Sequence, residues 1–209
     1  MDWLLQLDDA LFRFINLTLS NPLFDVVMPW LSGNAFFVWI AALAAAALVW
    51  ASGRKGLLCV LMIAVVVLAG DTFICFPLKK AIGRPRPYVT IPETKLLTGK
   101  GRSDQAMPSS HAANWFAVST VLFIYYRRRA WPVLIPAVLV SFSRVYNGAH
   151  HPGDVLMSAV LGSTYAAVFV LGVDALWRWA GKKWFPQRMH TTPSLITPNP
   201  IPHAIPKGT

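Results

Sequence analysis

Acidic side chains are scarce in this chain: nine aspartates and glutamates stand against nineteen lysines and arginines, and charged residues of both signs make up only 13% of it. Cysteine is rarer still, with Cys59 and Cys75 alone. They lie in one apolar run, separated on a helix by about 24 Å, well beyond disulfide reach, so they are expected to be inert packing residues. No cysteine and histidine spacing of the metal-binding kind occurs, so neither a metal nor another cofactor is expected. The start, Met1-Asp2-Trp3, has no basic stretch ahead of an apolar run, and a cleavable signal peptide is not expected. The polar balance of a soluble domain is also missing. With 55% hydrophobic residues and a mean hydropathy of +0.48, the composition is that of a single-domain membrane protein.

What is there instead is length of apolar sequence. Five runs, approximately 34–52, 57–76, 111–126, 131–147 and 155–177, are long enough or nearly so to cross a hydrocarbon core of about 30 Å. Ahead of them, "WLLQLDDALFRFINLTL" mixes Asp8, Asp9 and Arg13 with apolar residues at helical spacing, which suits a helix lying in the membrane interface better than a sixth span. The fold class expected is all-α: a polytopic helix bundle of about five transmembrane helices plus an N-terminal interfacial amphipathic helix. The membrane-embedded domain is placed at 1–188, with the interfacial helix region at 1–31 and the transmembrane bundle at 34–177. The stretch 189–209, rich in Pro and Thr and without periodicity, reads as a disordered cytoplasmic tail.

Short cytoplasmic loops carry the excess of lysine and arginine. Arg54 and Lys55, then Arg127, Arg128 and Arg129, then Arg178, Lys182, Lys183 and Arg188 all fall on one side of the proposed spans. That side is expected to be the cytoplasm, which puts the N-terminal helix and the loops 77–110 and 143–154 outside. Those outer loops are themselves basic, with Lys79, Lys80, Arg84, Arg86, Lys95, Lys100, Arg102 and Arg144. Cations placed against the topological bias ask for an anion.

Three stretches in the outer loops carry chemistry. In "PLKKAIGRPRPY", Lys79 and Arg86 follow the second run, and Pro85 and Pro87 stiffen the chain. In "AMPSSHAANWF", Pro108, Ser109 and Ser110 precede His111 at the start of the third run. Serines there can cap a helix, and a helix N-terminus offers N–H groups and a positive dipole end to a phosphate. Capping does not explain His111. In "SRVYNGAHHPGD", Arg144 closes the fourth run and Asp154 opens the fifth, with His150 and His151 between them. Polar groups at such depth are expensive and mark function. Asp71, inside the second run, is expected to face the bundle in a structural role, and Tyr88 and the nine tryptophans to form interface belts.

Taken in order, Lys79 through Arg86-Pro87, Pro108-Ser109-Ser110-His111, and Ser143-Arg144 followed by His150 and Asp154 resemble the three-part signature of the phosphatidic acid phosphatase type 2 superfamily. That superfamily includes integral-membrane lipid phosphatases and soluble vanadium haloperoxidases. Its middle motif usually reads Pro-Ser-Gly-His, where this chain has Ser110. Its usual core has six spans, of which this chain is expected to lack the first.

The resemblance implies roles. His150 would be the nucleophile, Asp154 its orienting carboxylate, and His111 the acid that protonates the leaving oxygen and then draws a proton from water. Lys79, Arg86, Ser109, Ser110 and Arg144 would bind phosphate, arginine by its fork and lysine as a compact charge. The spacing from Arg144 and to Asp154 selects His150 over His151, which is expected to be a partly exposed residue at a helix entrance, with Pro152 in the first turn. His190 and His203 receive no role. The implied activity is hydrolysis of a lipid phosphate or diphosphate through a phosphohistidine, without metal or cofactor. Undecaprenyl pyrophosphate is the first choice of substrate. Phosphatidylglycerol phosphate, phosphatidic acid and lipid A are rivals, as are a lipid phosphotransferase using the same site and a non-enzymatic lipid-binding or transport protein. The implied partners are a membrane lipid and the bilayer, not nucleic acid, with the oligomeric state open. The implied location is a bacterial inner membrane, crossed several times, with the site facing the periplasm or exterior.

Overall fold

Gly53 is where the longest apolar stretch turns back on itself. In the computed structural model, which describes residues 2–101 and 103–197, helix α3 (Asn34–Ala69) is helical on both sides of Gly53 but not at it, where φ is 53° and ψ −127°. A Cβ on Gly56 would run into the carbonyl oxygen of Leu48, so the second arm packs back against the first. The glycine accepts a left-handed φ that a side chain would resist, and the apolar runs at 34–52 and 57–76 become the arms of a hairpin. By length and composition, Val38–Ile82 and Pro152–Trp184 are each long and apolar enough to cross a membrane, and the first contains this reversal.

The described residues form an all-helical membrane bundle, with one isolated antiparallel bridge between Pro85 and Gln105. After α3 come a π-helical segment (Gly70–Cys75), α4 (Phe76–Ile82), the short α5 (Pro87–Thr90), α6 (Ser110–Tyr126), a 3₁₀ segment (Arg127–Val133), α7 (Leu134–Tyr146) and α8 (Pro152–Trp184). The core runs between the second arm of α3, α6 and α8: Cys59, Met62 and Val66 pack with Ala117, Val121, Tyr125, Ala166 and Val170. Both cysteines are buried and unpaired. The outward faces are apolar instead of polar, with Leu43, Trp50, Leu68, Phe73, Val138, Val160 and Val168 all exposed. A soluble protein does not present such a continuous apolar surface, whereas a lipid-facing bundle does.

Helix α1 (Asp2–Arg13) is amphipathic as expected. Trp3, Leu4, Leu7, Leu11 and Phe14 form an exposed apolar stripe, while Phe12 is completely buried. A second helix follows that periodicity did not reveal, α2 (Pro22–Ser32), opened by Asn21, whose side chain accepts from the Phe24 N–H at 3.0 Å, and by Pro22 in the first turn. Its end is tied to α7, because Asn147 donates to the Met28 carbonyl at 3.0 Å and to Ser32 Oγ at 2.8 Å.

Three further expectations are corrected. Asp71, expected to face the bundle, is exposed: it lies on the side of the helix away from the buried Met62 and Val66, while the π-helical spacing keeps Gly70 and Cys75, five residues apart, both buried. The stretch read as a tail from residue 189 is ordered at its start: α9 (Pro186–Thr191) is followed by Ser194 Oγ and the Leu195 N–H, which donate to Asp174 at 2.8 and 2.7 Å. Residues 198–209, including His203, lie outside the described residues. His151, expected to be partly exposed, is only 3% exposed.

Candidate active site

The three motifs meet at the end of the bundle where α6 and α8 begin and α7 ends. The chain leaves α4 with Lys79 in its last turn, and Lys79 Nζ donates to Ser110 Oγ, on the first residue of α6, at 3.2 Å. Beyond it, the Arg86 N–H donates to the Asp104 carbonyl at 2.9 Å and the Ala106 N–H to the Arg84 carbonyl at 2.7 Å, which fixes the extended stretch around Pro85. Arg86 is 5% exposed. Its Nε donates to the Ser103 carbonyl at 2.8 Å and its Nη1 to the Ala149 carbonyl at 3.4 Å, next to His150.

Ser109 takes the N-cap position of α6 with extended backbone, but its side chain makes no capping bond. The capping role expected of it is not observed; its backbone N–H donates to Ser158 Oγ at 2.7 Å and its own hydroxyl is buried without a hydrogen bond among the described residues. Arg144 Nε is in the same condition. Buried donors are normally satisfied, so these two are available to an acceptor brought into the site.

The loop after α7 is wound tightly by its own backbone. The N–H groups of Ala149 and His150 both donate to the Arg144 carbonyl, at 3.1 and 3.3 Å. Gly148 has φ +76°, and a Cβ there would meet the Lys95 carbonyl at 2.8 Å, so only glycine suits the turn. His150, 2% exposed, is thereby set inside a ring of cations: Arg144, Arg86 and Lys79 act on it electrostatically, with His111 behind them. Burial first, then these cations, hold its imidazole well below the usual histidine range.

His151 points the other way. Its Nε2 lies 3.4 Å from Asp9, its Nδ1 3.4 Å from Asp154, and its ring packs on Phe12 with centroids 5.5 Å apart. Adjacent histidines thus face opposite charge, cations around His150 and carboxylates around His151. Asp154 is completely buried. It accepts from the His151 N–H at 2.8 Å and from Arg84 Nη1 at 2.7 Å, while His150 Nδ1 stands 3.9 Å from its Oδ2. The carboxylate therefore faces the nucleophile candidate without a closed hydrogen bond in this structure. Arg84 and its second partner, Asp8 at 2.6 Å, did not emerge as site residues from the sequence. The signal available was weak: an arginine inside the first motif and an acidic pair on an otherwise apolar helix.

All eight candidates lie at this end of the bundle. The family model described as the PAP2 superfamily matches residues 60–178, more than half of the chain, and this stretch holds all three motifs. The chain belongs to the PAP2 superfamily. It is 29% identical over 171 residues to the lipid A 4'-phosphatase of Bacteroides thetaiotaomicron, covering 78% of this chain and 75% of that one. It is also 29% identical over 154 residues to an undecaprenyl-diphosphatase of Sulfolobus acidocaldarius, covering 73% and 72%. A match of 32% to the bacitracin transport permease protein BcrC of Bacillus licheniformis spans 41% of each chain, so that relative is matched over less than half its length. In fold, the chain resembles the crystal structure of Aquifex aeolicus LpxE, with a TM-score of 0.63 at 22% identity, covering 78% of this chain and 93% of that one.

Proposed function

We propose that this PAP2 protein hydrolyses a membrane lipid phosphate or diphosphate, with undecaprenyl pyrophosphate as first choice, through a phosphohistidine on His150. The observation that carries this reading is the buried imidazole of His150 set among Arg144, Arg86 and Lys79, with the buried Ser109 Oγ and Arg144 Nε available as donors. Binding alone needs cations but not a nucleophile held neutral among them. In a loose phosphoryl-transfer transition state, charge spreads over the nonbridging oxygens, and preorganised cations stabilise it.

In this mechanism a neutral His150 attacks phosphorus through Nε2, since Nδ1 faces Asp154. The bond from phosphorus to the leaving oxygen breaks, and that oxygen takes a proton from His111. Water then attacks the phosphohistidine, losing a proton to His111 as the P–N bond breaks, and His150 and inorganic phosphate are regenerated. Asp154 offsets positive charge on the imidazole as it forms. The cradle consists of side chains, so activity is expected to survive EDTA, while vanadate, which adopts five-coordinate geometry, is expected to inhibit it. Loss on chelation with recovery on adding magnesium would overturn this mechanism.

In the same reading the arms of α3, then α6, α7 with its 3₁₀ lead-in, and α8 are five spans of a bacterial inner membrane, with the site at the outer face. Supporting this, Arg127–Arg129 and Lys182–Lys183 lie at the opposite ends of α6 and α8 from His111 and His150. Lys55, at the hairpin turn, sits over the Tyr126 ring at 5.0 Å, at that same far end. A lipid A phosphatase is the second reading, favoured by the broad match to the Bacteroides enzyme. Phosphate release by purified protein across undecaprenyl pyrophosphate, lipid A, phosphatidylglycerol phosphate and phosphatidic acid decides between them. The highest kcat/KM is expected for the diphosphate; preference for lipid A would install the second reading, and no release from any would overturn both.

A further inference from the structure

We infer that Arg84 and Asp8 are positioning residues for the reaction: Asp8, on the N-terminal helix, holds Arg84 against Asp154 and so fixes the orientation and the surrounding charge of the carboxylate that faces His150. The inference rests on the phosphatase reading above. Neither residue belongs to the phosphate cradle, and Asp8 lies far outside the three motifs in sequence.

The geometry is a two-sided clamp. One nitrogen of the Arg84 fork, Nη1, donates to Asp154 Oδ1 at 2.7 Å, and the other, Nη2, donates to Asp8 Oδ2 at 2.6 Å. Arg84 is held mostly out of solvent, its side chain 20% exposed, with Asp8 at 13% and Asp154 at 0%. Asp8 also accepts from the Gly153 N–H at 2.7 Å, so it grips the first turn of α8 as well as the arginine. A Cβ on Gly153 would lie 2.9 Å from Asp8 Oδ2, so the approach is close. Asp9 reaches His151 at 3.4 Å. Phe12 joins Ala112, Val145 and Val155 in an apolar cluster under the site. The apolar stripe of α1 faces outward and its polar edge faces the catalytic loop, which joins an interface helix to the reacting groups.

Such a clamp has an electrostatic consequence that a mere structural clasp lacks. His150 is faced by Arg144 from α7, Arg86 from the first motif, Lys79 from α4, His111 from α6 and Asp154 from α8, and it adjoins His151. Asp154 is faced in turn by Arg84 and His151, Arg84 by Asp8, and His151 by Asp9. A guanidinium on Asp154 tempers its pull on the imidazole proton. Removing that cation leaves the carboxylate a stronger partner for protonated His150, so the pH at which the nucleophile loses activity to protonation should rise. Removing the negative charge of Asp8 leaves Arg84 less neutralised and should move that pH down or leave a smaller change.

The experiment is kcat and KM against pH for the full chain in detergent, reading phosphate release from a lipid phosphate that the wild type cleaves. Arg84→Gln should lose on the order of tenfold to a hundredfold in kcat with little change in KM, as expected for a misplaced catalytic group, and its acid limb should shift to higher pH. Arg84→Lys should restore the limb while recovering only part of the rate, because it keeps the charge but not the fork. Asp8→Asn should lose several-fold without the upward shift, and Asp8→Asn combined with Arg84→Gln should be no worse than Arg84→Gln alone. Losses that add, that follow thermal stability and that leave every acid limb at the wild-type pH would overturn the inference. If Arg84→Gln does not give monodisperse protein, the near-isosteric Asp8→Asn carries the test: unchanged kcat at wild-type stability overturns it. An inactive wild type on every lipid phosphate would overturn the phosphatase reading and this inference together, whereas an active wild type with indifferent variants overturns this inference alone.

Discussion

The two ends of the bundle are both rich in cations, and they use them in opposite ways. At one end Arg127, Arg128 and Arg129 are exposed where α6 stops. At the other, Arg86 is 5% exposed and hydrogen-bonded to the backbone beside His150, and Arg84 is locked between two carboxylates. Charge count cannot separate the ends. What separates them is desolvation: an exposed cation is screened by water and salt, whereas a buried one exerts a strong field on whatever it faces. The same contrast recurs on a smaller scale between His150, among cations, and His151, among carboxylates.

The sharpest way to break this contrast is to remove each histidine in turn. His150→Ala is expected to cost on the order of a thousandfold or more in kcat/KM, about 4 kcal/mol in barrier. His151→Ala should cost far less, since it loses a contact with Asp9 and Phe12 but not the attacking atom. His111→Ala should resemble His150→Ala on a lipid phosphate and recover partly with a p-nitrophenyl ester, whose leaving oxygen hardly needs a proton. Equal losses for His150→Ala and His151→Ala would erase the distinction between their surroundings.

Next in size is the comparison of arginines. Arg144→Lys keeps the charge but not the fork, and is expected to lower kcat/KM by roughly tenfold to a hundredfold through the misfit of its cradle. Arg128→Ala, at the far end, should leave catalysis within about twofold, the scale of an exposed site away from any built feature. A large effect of Arg128→Ala would deny that burial is what distinguishes the ends. The sidedness itself can be tested by cysteine labelling of intact cells. Gly99, with open space around its Cα, is the suitable outer position, because a side chain at Gly101 would meet the Arg86 guanidinium at 2.6 Å. Gly99→Cys should react with an impermeant maleimide from outside and Arg128→Cys only after permeabilisation; the reverse pattern would place the site on the cytoplasmic face.

The smallest effect concerns pH and stability. The folded protein holds His150 neutral, with its pKa below the unfolded value of 6.5. The unfolded chain therefore takes up a proton that the native state refuses. This contribution to stability is fully present above about pH 6.5 and is lost as pH falls toward the folded pKa. Melting temperature should accordingly drop more between pH 7 and pH 5 in the wild type than in His150→Gln. Identical pH dependence in both would show that His150 is not held neutral.

Much of this was legible in the sequence because it is written in local terms. The apolar runs 34–52 and 57–76, with Arg54 and Lys55 between them, correspond to the two arms of α3. The resemblance of the stretches around Lys79, Arg86, His111, Arg144, His150 and Asp154 to a three-part signature pointed to residues that the fold brings to one end of the bundle. What was hidden depends on register or on distant partners. The π-helical turn at Gly70–Cys75 looks like α-helix in sequence, and the exposure of Asp71 follows from which face Met62, Val66 and Gly70 bury against α6 and α8. Helix α2 is held by Asn147 from more than a hundred residues away, so periodicity alone did not mark it. The burial of His151 depends on Asp9 and Phe12 from an N-terminal helix read only for its apolar stripe. The ordering of Ser194 and Leu195 depends on Asp174, a buried acid in α8 that offered no signal of its own.

The central claim is that His150, and not its neighbour, bonds to phosphorus. Wild type, His150→Ala and His151→Ala should each be mixed with substrate labelled at the transferred phosphoryl group, quenched in alkali within the turnover time, and assayed for protein-bound label. Base-stable, acid-labile label is expected in wild type and in His151→Ala, and none in His150→Ala. Label that persists in His150→Ala and vanishes in His151→Ala would contradict the assignment and move the nucleophile to the carboxylate-flanked side of the loop.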